Sequence, residues 1–207
     1  LGLKRNASVA EARRQIPGLL VVEARPEVYI DYHRRLKAIV ETCVPVKKVQ
    51  SIDELECALP GSLAEPANAI ALAQRIKSAI ARAAGPHLRS SIGIGPNWFI
   101  AKLASDQNKP DGLCVITPLN GAAFVQTLPV KRFHGVGPVT AARMERLGIR
   151  TGADLAARSL AFLERHFGSS AAYLHGAARG IDHRPVRPDR ERKSIGAERT
   201  FETDLVG

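Results

Sequence analysis

The chain has 207 residues, enough for one good hydrophobic core or two small ones, and its 45% apolar content is that of an ordinary folded protein. Lys and Arg number 30 against 20 Asp and Glu, a formal charge of +10 that favours a polyanionic partner such as nucleic acid through counterion release. No apolar run approaches the roughly 20 residues that cross a bilayer, and the isolated Cys43, Cys57 and Cys114 give neither a disulfide framework nor zinc-ligand spacing, so membrane, disulfide-scaffold and zinc classes drop out and a reducing cytosol fits best.

Leu1 to Asn6 carries neither a signal peptide nor an initiator Met, so the chain is expected to begin inside a longer protein. From Glu27 to Cys43, the apolar Val28, Tyr32, Leu36, Ile39, Val40 and Cys43 share one helical face with Arg34, Arg35 and Lys37 opposite, and Pro45 ends the helix. Val46 to Ala58 is β-branched and alternating around Ser51-Ile52-Asp53-Glu54. Residues 66–84 return to helix with Ile70, Ala73, Ile76 and Ile80 inward. Residues 91–118 then read as strand, tight turn, helix, Lys-Pro-Asp-Gly turn and strand. Ile92 and Ile94 alternate with glycine, Pro96 breaks the strand, Asn97 caps the helix, and Phe99, Ile100, Leu103 and Ala104 recur at helical spacing.

After Pro118 the character changes to short helices near 119–127, 138–147, 151–157, 159–167 and 169–179, with Gly148, Gly152 and Gly168 expected as left-handed caps at helix ends. The prolines and charges of Arg184 to Arg192 read as an exposed basic tether, with Arg184, Arg187, Arg190 and Lys193 solvated or tracking a DNA backbone. Lys193 to Phe201 could open a further strand. Strands interleaved with covering helices, then a helical unit, predict an α+β chain.

Three features carry chemistry. Asp53 and Glu54 are adjacent acids. Neighbours in a regular strand point to opposite faces, so the pair can reach one metal ion only at a strand end or bend, which Gln50-Ser51 could introduce. The alternative is an exposed hairpin turn with two solvated acids. Lys109 lies just past a helix C-terminus, where any protein favours a cation. Gly135-Val136-Gly137 lets backbone approach a ligand closely, and the following helix, with Thr140 and Arg143, aims free N–H groups outward, either as a phosphate grip or as an ordinary helix-hairpin turn. Trp98 reads as packing rather than base stacking, and the six scattered histidines have no ligand spacing.

Taken in order, Ser51-Ile52-Asp53-Glu54, the Phe99-x-Ala101-Lys102-x-Ala104-Ser105-Asp106 helix leading into Asn108-Lys109-Pro110-x-Gly112, Leu128-Pro129-Val130-x-x-Phe133-x-Gly135-Val136-Gly137, Arg179-Gly180-Ile181-Asp182 and Lys193 to Phe201 resemble the Y-family translesion DNA polymerases of the DinB or DNA polymerase IV type. The resemblance implies a partial polymerase palm at 1–118 (a mixed sheet with helices), a small all-helical thumb with a helix-hairpin-helix motif at 119–183, and a linker with the start of a little-finger domain at 184–207. It implies error-prone, template-directed nucleotidyl transfer in damage tolerance. Asp53 would bind metal, Glu54 would be the catalytic carboxylate of a two-magnesium site, Lys109 would contact the triphosphate, and Gly135, Val136, Gly137, Thr140 and Arg143 would grip DNA without reading sequence.

It further implies primer-template DNA and deoxynucleoside triphosphates as partners, a monomer in the cytoplasm, and a sliding clamp only through segments outside this sequence. Family members draw another metal-binding Asp, the ribonucleotide gate and a Tyr and Arg over the triphosphate from a region that precedes Leu1, so the chain alone is expected to be catalytically incomplete. Leu55-Glu56-Cys57-Ala58 departs from the small residue, aromatic, Leu and Asp that commonly follow the acidic pair. A polymerase-like accessory module that binds DNA without chemistry is the competing reading. A helix-hairpin-helix nuclease or recombination factor would leave Asn108 to Gly112 unexplained.

Overall fold

Pro26 occupies the first helical position of α2 (Pro26–Glu41), where its missing N–H has no intrahelical role, and Lys37 pairs with Glu41 one turn on at 2.6 Å. Ahead of it lies α1 (Val9–Gln15), capped by the Ser8 hydroxyl, which accepts from the Glu11 amide. A hairpin of β1 (Val46–Val49) and β2 (Leu55–Cys57) follows, antiparallel with Val46 opposite Cys57 and an irregularity before Lys48. α3 (Pro66–Ala84) again opens on proline. These residues belong to a computed structural model that describes residues 2–3 and 6–184. The expectations for Arg187, Arg190, Lys193 and a strand at Lys193 to Phe201 fall outside the described residues.

The first small core lies between α2, α3 and the hairpin, where Val40, Val44, Leu72 and Ile80 are buried against Leu36, Ile39, Cys43, Leu55, Cys57 and Ile76. Only the second half of α2 takes part. Val28 and Tyr32, expected to face inward, are 37% and 36% exposed, because the hairpin and α3 cover the C-terminal half of the helix. In α3 the close contacts fall on the small Ala69 and Ala73 with Leu72 between them, while Ile70 is only half-buried.

β3 (Ile92–Ile94) and β4 (Leu113–Val115) form a parallel pair joined by α4 (Trp98–Ser105), whose N-terminus is capped as expected, the Asn97 side chain accepting from the Ile100 amide at 3.0 Å. α4 lies directly on β3. A Cβ at Gly93 would sit 2.0 Å from the Ala101 carbonyl oxygen and 2.2 Å from the Ser105 nitrogen, so only glycine allows this approach.

The far side of α4 enters the second, larger core. Phe99, Ile100 and Leu103 are fully enclosed with residues of the helical unit: α5 (Gly121–Thr127), α6 (Pro138–Arg146), α7 (Gly152–Ala156), α8 (Leu160–Phe167) and α9 (Ala171–Ala177). Phe99 meets Phe133 and Tyr173 edge-on at 5.5 and 6.2 Å. Thr151 and Asp154 close a reciprocal capping box at the start of α7.

Gly148 and Gly168 adopt left-handed backbone, with φ of 72° and 55°. Gly152 does not. It is the first residue of α7, and a Cβ there would lie 2.2 Å from the Val125 carbonyl oxygen, so its glycine serves close packing on α5 rather than a cap. The chain is thus α+β, with two small sheets and mostly helix among the described residues.

Gly93→Ala is expected to destabilise the fold by about 3 kcal/mol, since backbone rather than a flexible side chain blocks the added methyl. Urea unfolding checks this, and a midpoint equal to the parent's would refute the close packing.

Candidate functional site

The acidic pair sits in the connection of the β1–β2 hairpin rather than in either strand. The Gln50 amide donates to the Glu54 carbonyl at 2.9 Å and closes the loop. Ser51 Oγ donates to Asp53 Oδ1 at 2.6 Å, and His33 Nδ1 on α2 donates to the Ile52 carbonyl at 2.8 Å, tying the loop to the helix beneath. Outside a regular strand, the alternation that would send adjacent side chains to opposite faces no longer applies. Leu55 and Cys57 turn into the small core and Glu56 accepts from Gln50, so the unusual residues after the pair still pack as a strand. Burial pushes the Cys57 thiol up to about 11.

Glu54 is drawn onto α4. Lys102 Nζ lies 2.7 Å from Glu54 Oε1 and 3.3 Å from Asp106 Oδ2, and Asp106 Oδ1 lies 2.6 Å from Lys109 Nζ. Acid and base therefore alternate along Glu54, Lys102, Asp106 and Lys109. Burial alone would lower the Lys102 ammonium, but its bond to Glu54 and the charge of Asp106 outweigh this and raise it. Burial likewise favours the neutral form of Asp106, and the two lysines overcome it and hold the carboxyl below its ordinary range. Read as a sequence, Lys102 has no assigned partner. Its spacing of four to Asp106, and that of three from Asp106 to Lys109, are the only local signals, because Glu54 is 48 residues away.

The turn that carries Lys109 is fastened from α3, where Lys77 Nζ donates to the Asp111 carbonyl at 2.8 Å and reaches the Asp111 carboxylate and the Ser90 carbonyl. Lys109 remains 55% exposed.

Among the described residues no group of three or more His, Cys, Asp and Glu side chains could hold a metal ion. Asp53 and Glu54 are oxygen donors of the kind a hard divalent cation takes. A pair is fewer than such an ion's full set, so among the described residues they could supply only part of a site.

In the second region, Gly135 has φ of 85°, a left-handed turn against the Tyr173 ring. Gly137 precedes α6, and nothing lies within 4 Å of where its Cβ would be. Val136 is buried and its amide donates to the Phe133 carbonyl at 3.0 Å, so it shapes the turn from inside. The amides of Val139 and Thr140 lie in the first turn of α6, where no intrahelical carbonyl is available. Arg143, lying over the Phe167 ring at 5.6 Å, lines an open cleft with Arg146, Val139, Leu147 and His166. The turn thus combines open backbone with nearby cations.

The two regions meet at Trp98, the first residue of α4. Its ring stands perpendicular to His134 at 4.6 Å, which supports the packing role read for it. Burial, followed by the charges of Arg184 and Lys102, lowers the His134 pKa against the opposing pull of Glu54 and Asp182.

The model of the impB/mucB/samB family matches residues 1–106, just over half of the chain. The chain belongs to that family. The family's helix-hairpin-helix motif matches residues 120–149, which include the Gly135 turn. Among similar proteins is DNA polymerase IV 2 of Agrobacterium fabrum, 49% identical over 198 residues that cover 96% of this chain and 55% of the relative. DNA polymerase IV of Gluconobacter oxydans is 46% identical over 195 residues, covering 94% and 54%. The crystal structure of DinB from Sulfolobus solfataricus aligns with a TM-score of 0.79 at 28% identity, covering 89% of this chain and 54% of that one. An insertion ternary complex of Dbh DNA polymerase aligns at 0.78 with 28% identity, again covering 89% and 54%. The Y-family, DinB-type resemblance of the sequence is borne out, and the impB/mucB/samB chain spans about half the length of the curated relatives it matches.

Because its pKa is lowered on folding, His134 binds a proton more readily in the unfolded chain. Its contribution to stability is therefore complete above its ordinary value of 6.5 and declines as pH falls below that value. Unfolding free energy measured across this range is expected to decline less in His134→Gln than in the parent, and an unchanged slope would refute the assignment.

Proposed function

We propose that this chain is the palm and thumb region of an error-prone translesion DNA polymerase, with residues 1–118 as palm, 119–183 as thumb and 184–207 as linker. The observation that carries the reading is the alternating chain of Glu54, Lys102, Asp106 and Lys109, which links Glu54 and the proposed triphosphate lysine through the C-terminal end of α4. Relatives named DNA polymerase IV and the ternary complex of Dbh DNA polymerase support it. Asp53 and Glu54 would hold a divalent ion, for which we take magnesium, and its charge would supply the acidity that a primer 3′ hydroxyl needs to attack. Lys102 keeps the Glu54 carboxylate turned toward α4. Lys109, steadied by Asp106, meets the triphosphate as a point charge. Primer-template DNA is gripped through the open backbone at Gly135, Gly137 and Thr140, shaped by Val136 and supported by Arg143, so binding is independent of sequence. The protein acts as a monomer in the cytoplasm, with any sliding clamp engaged through other segments.

Magnesium-dependent primer extension by the full-length protein tests this beside Glu54→Gln and Asp53→Asn. Each variant is expected to lose about 10²- to 10⁴-fold in extension while retaining DNA binding. Binding itself is expected to weaken about 10- to 50-fold between 50 and 200 mM salt, as about two or three backbone contacts require. Extension undiminished in both variants would refute the site. DNA binding with no extension by the unaltered protein would favour an accessory module instead.

A further inference from the structure

Asp182 is an acid in an enclosed place. Its side chain is only 3% exposed, and burial by itself favours its neutral form. A carboxylate so placed must be compensated, and Arg184 does this with its planar fork. Arg184 Nε donates to Asp182 Oδ1 at 2.7 Å and Nη2 to Oδ2 at 2.8 Å, and the Arg184 backbone amide donates to Oδ1 at 3.1 Å.

The fork is placed further by two rings. The guanidinium carbon lies 5.1 Å from the centroid of Trp98 on α4 and 4.9 Å from that of Tyr173 on α9, both within cation–π reach. Tyr173 Oη in turn donates to the His134 carbonyl at 2.6 Å, and the His134 ring rests against Trp98. The Asn97 side chain adds a second tie, donating to the Gly180 carbonyl at 2.8 Å. One guanidinium thus touches the start of α4 and the helix that holds the residue preceding Gly135. Neither α4 nor the turn contains a covalent or sequence-local reason for such proximity.

We propose that Arg184 is a positioning residue that latches the Gly135–Gly137 turn to α4 and so fixes the DNA grip relative to the Glu54–Lys102 pair. This rests on the reading of that turn as the DNA grip. Lysine cannot replace Arg184, because an ammonium supplies neither the two-pronged bond nor the planar stack.

Amide hydrogen exchange on the full-length protein, without DNA, decides the matter. The Val136 amide, bonded to the Phe133 carbonyl, reports the turn, and the Leu155 amide, bonded to Thr151, serves as a distant reference. In Arg184→Ala and Arg184→Lys the Val136 amide is expected to exchange about tenfold faster with Leu155 unchanged. The double variant Asp182→Asn with Arg184→Ala removes the buried charge along with its partner. It is expected to exchange as fast at Val136, because the stack on Trp98 and Tyr173 is still lost.

Parent-like exchange in either single variant would overturn the latch, and so would its restoration in the double variant, which would reduce Arg184 to a counter-ion. Absence of DNA binding by the unaltered protein would overturn instead the reading of the turn on which the proposal rests.

Discussion

The contact on which the rest of the structure depends is that of α4 on β3 at Gly93. With no side chain at that position, helix backbone rests on strand backbone, and α4 is sunk deeply enough for Phe99, Ile100 and Leu103 to fill the core of the helical unit on its other side. One short helix therefore belongs to both halves of the molecule. Its exposed edge presents Lys102, and its N-terminal end presents Trp98 to His134. The acidic hairpin and the glycine turn lie far apart in sequence, yet each is referred to the same eight residues.

Packing and charge divide the labour along that helix. Burial of Phe99 and its neighbours supplies the energy, since each enclosed large side chain contributes about 1.5–3 kcal/mol. The ion pairs are partly exposed and contribute little to stability. Their value is directional. Asp106 lies at the C-terminus of α4, an unfavourable place for an acid, and Lys102 and Lys109 offset this. A helix end that would repel Asp106 alone thereby gathers two cations, of which Lys102 also pairs with Glu54.

Local features of the fold were legible in the sequence because local chemistry dictates them. Asn97 caps α4, Pro66 and Ala84 bound α3, and Lys109 to Gly112 turn the chain where the residues require it. The acidic pair was legible as a pair, and its place in the hairpin bend suits both of its readings, as metal ligands and as solvated acids. What escaped depends on partners distant in sequence. Lys102 needed the hairpin to arrive before it had a role, and Gly152 serves α5 rather than its own helix end. Val28 and Tyr32 follow the inward period of α2 perfectly, but the layer that would cover them stops at its second half. Arg184 looks like the start of a solvated tether, and its role exists only once Trp98 and Tyr173 stand beside it.

α4 is the shared scaffold of hairpin and turn, and a cavity at Phe99 puts this to the test. Phe99 lies entirely in the larger core, whereas Cys57, in strand β2 of the acidic hairpin, lies against the smaller one. In Phe99→Ala, denaturation followed by Trp98 fluorescence and by the reactivity of the Cys57 thiol, with Cys43 and Cys114 replaced by serine, is expected to show both midpoints shifting down together. A shift confined to Trp98, with Cys57 as protected as in the parent, would contradict the account by showing that the hairpin stands without α4.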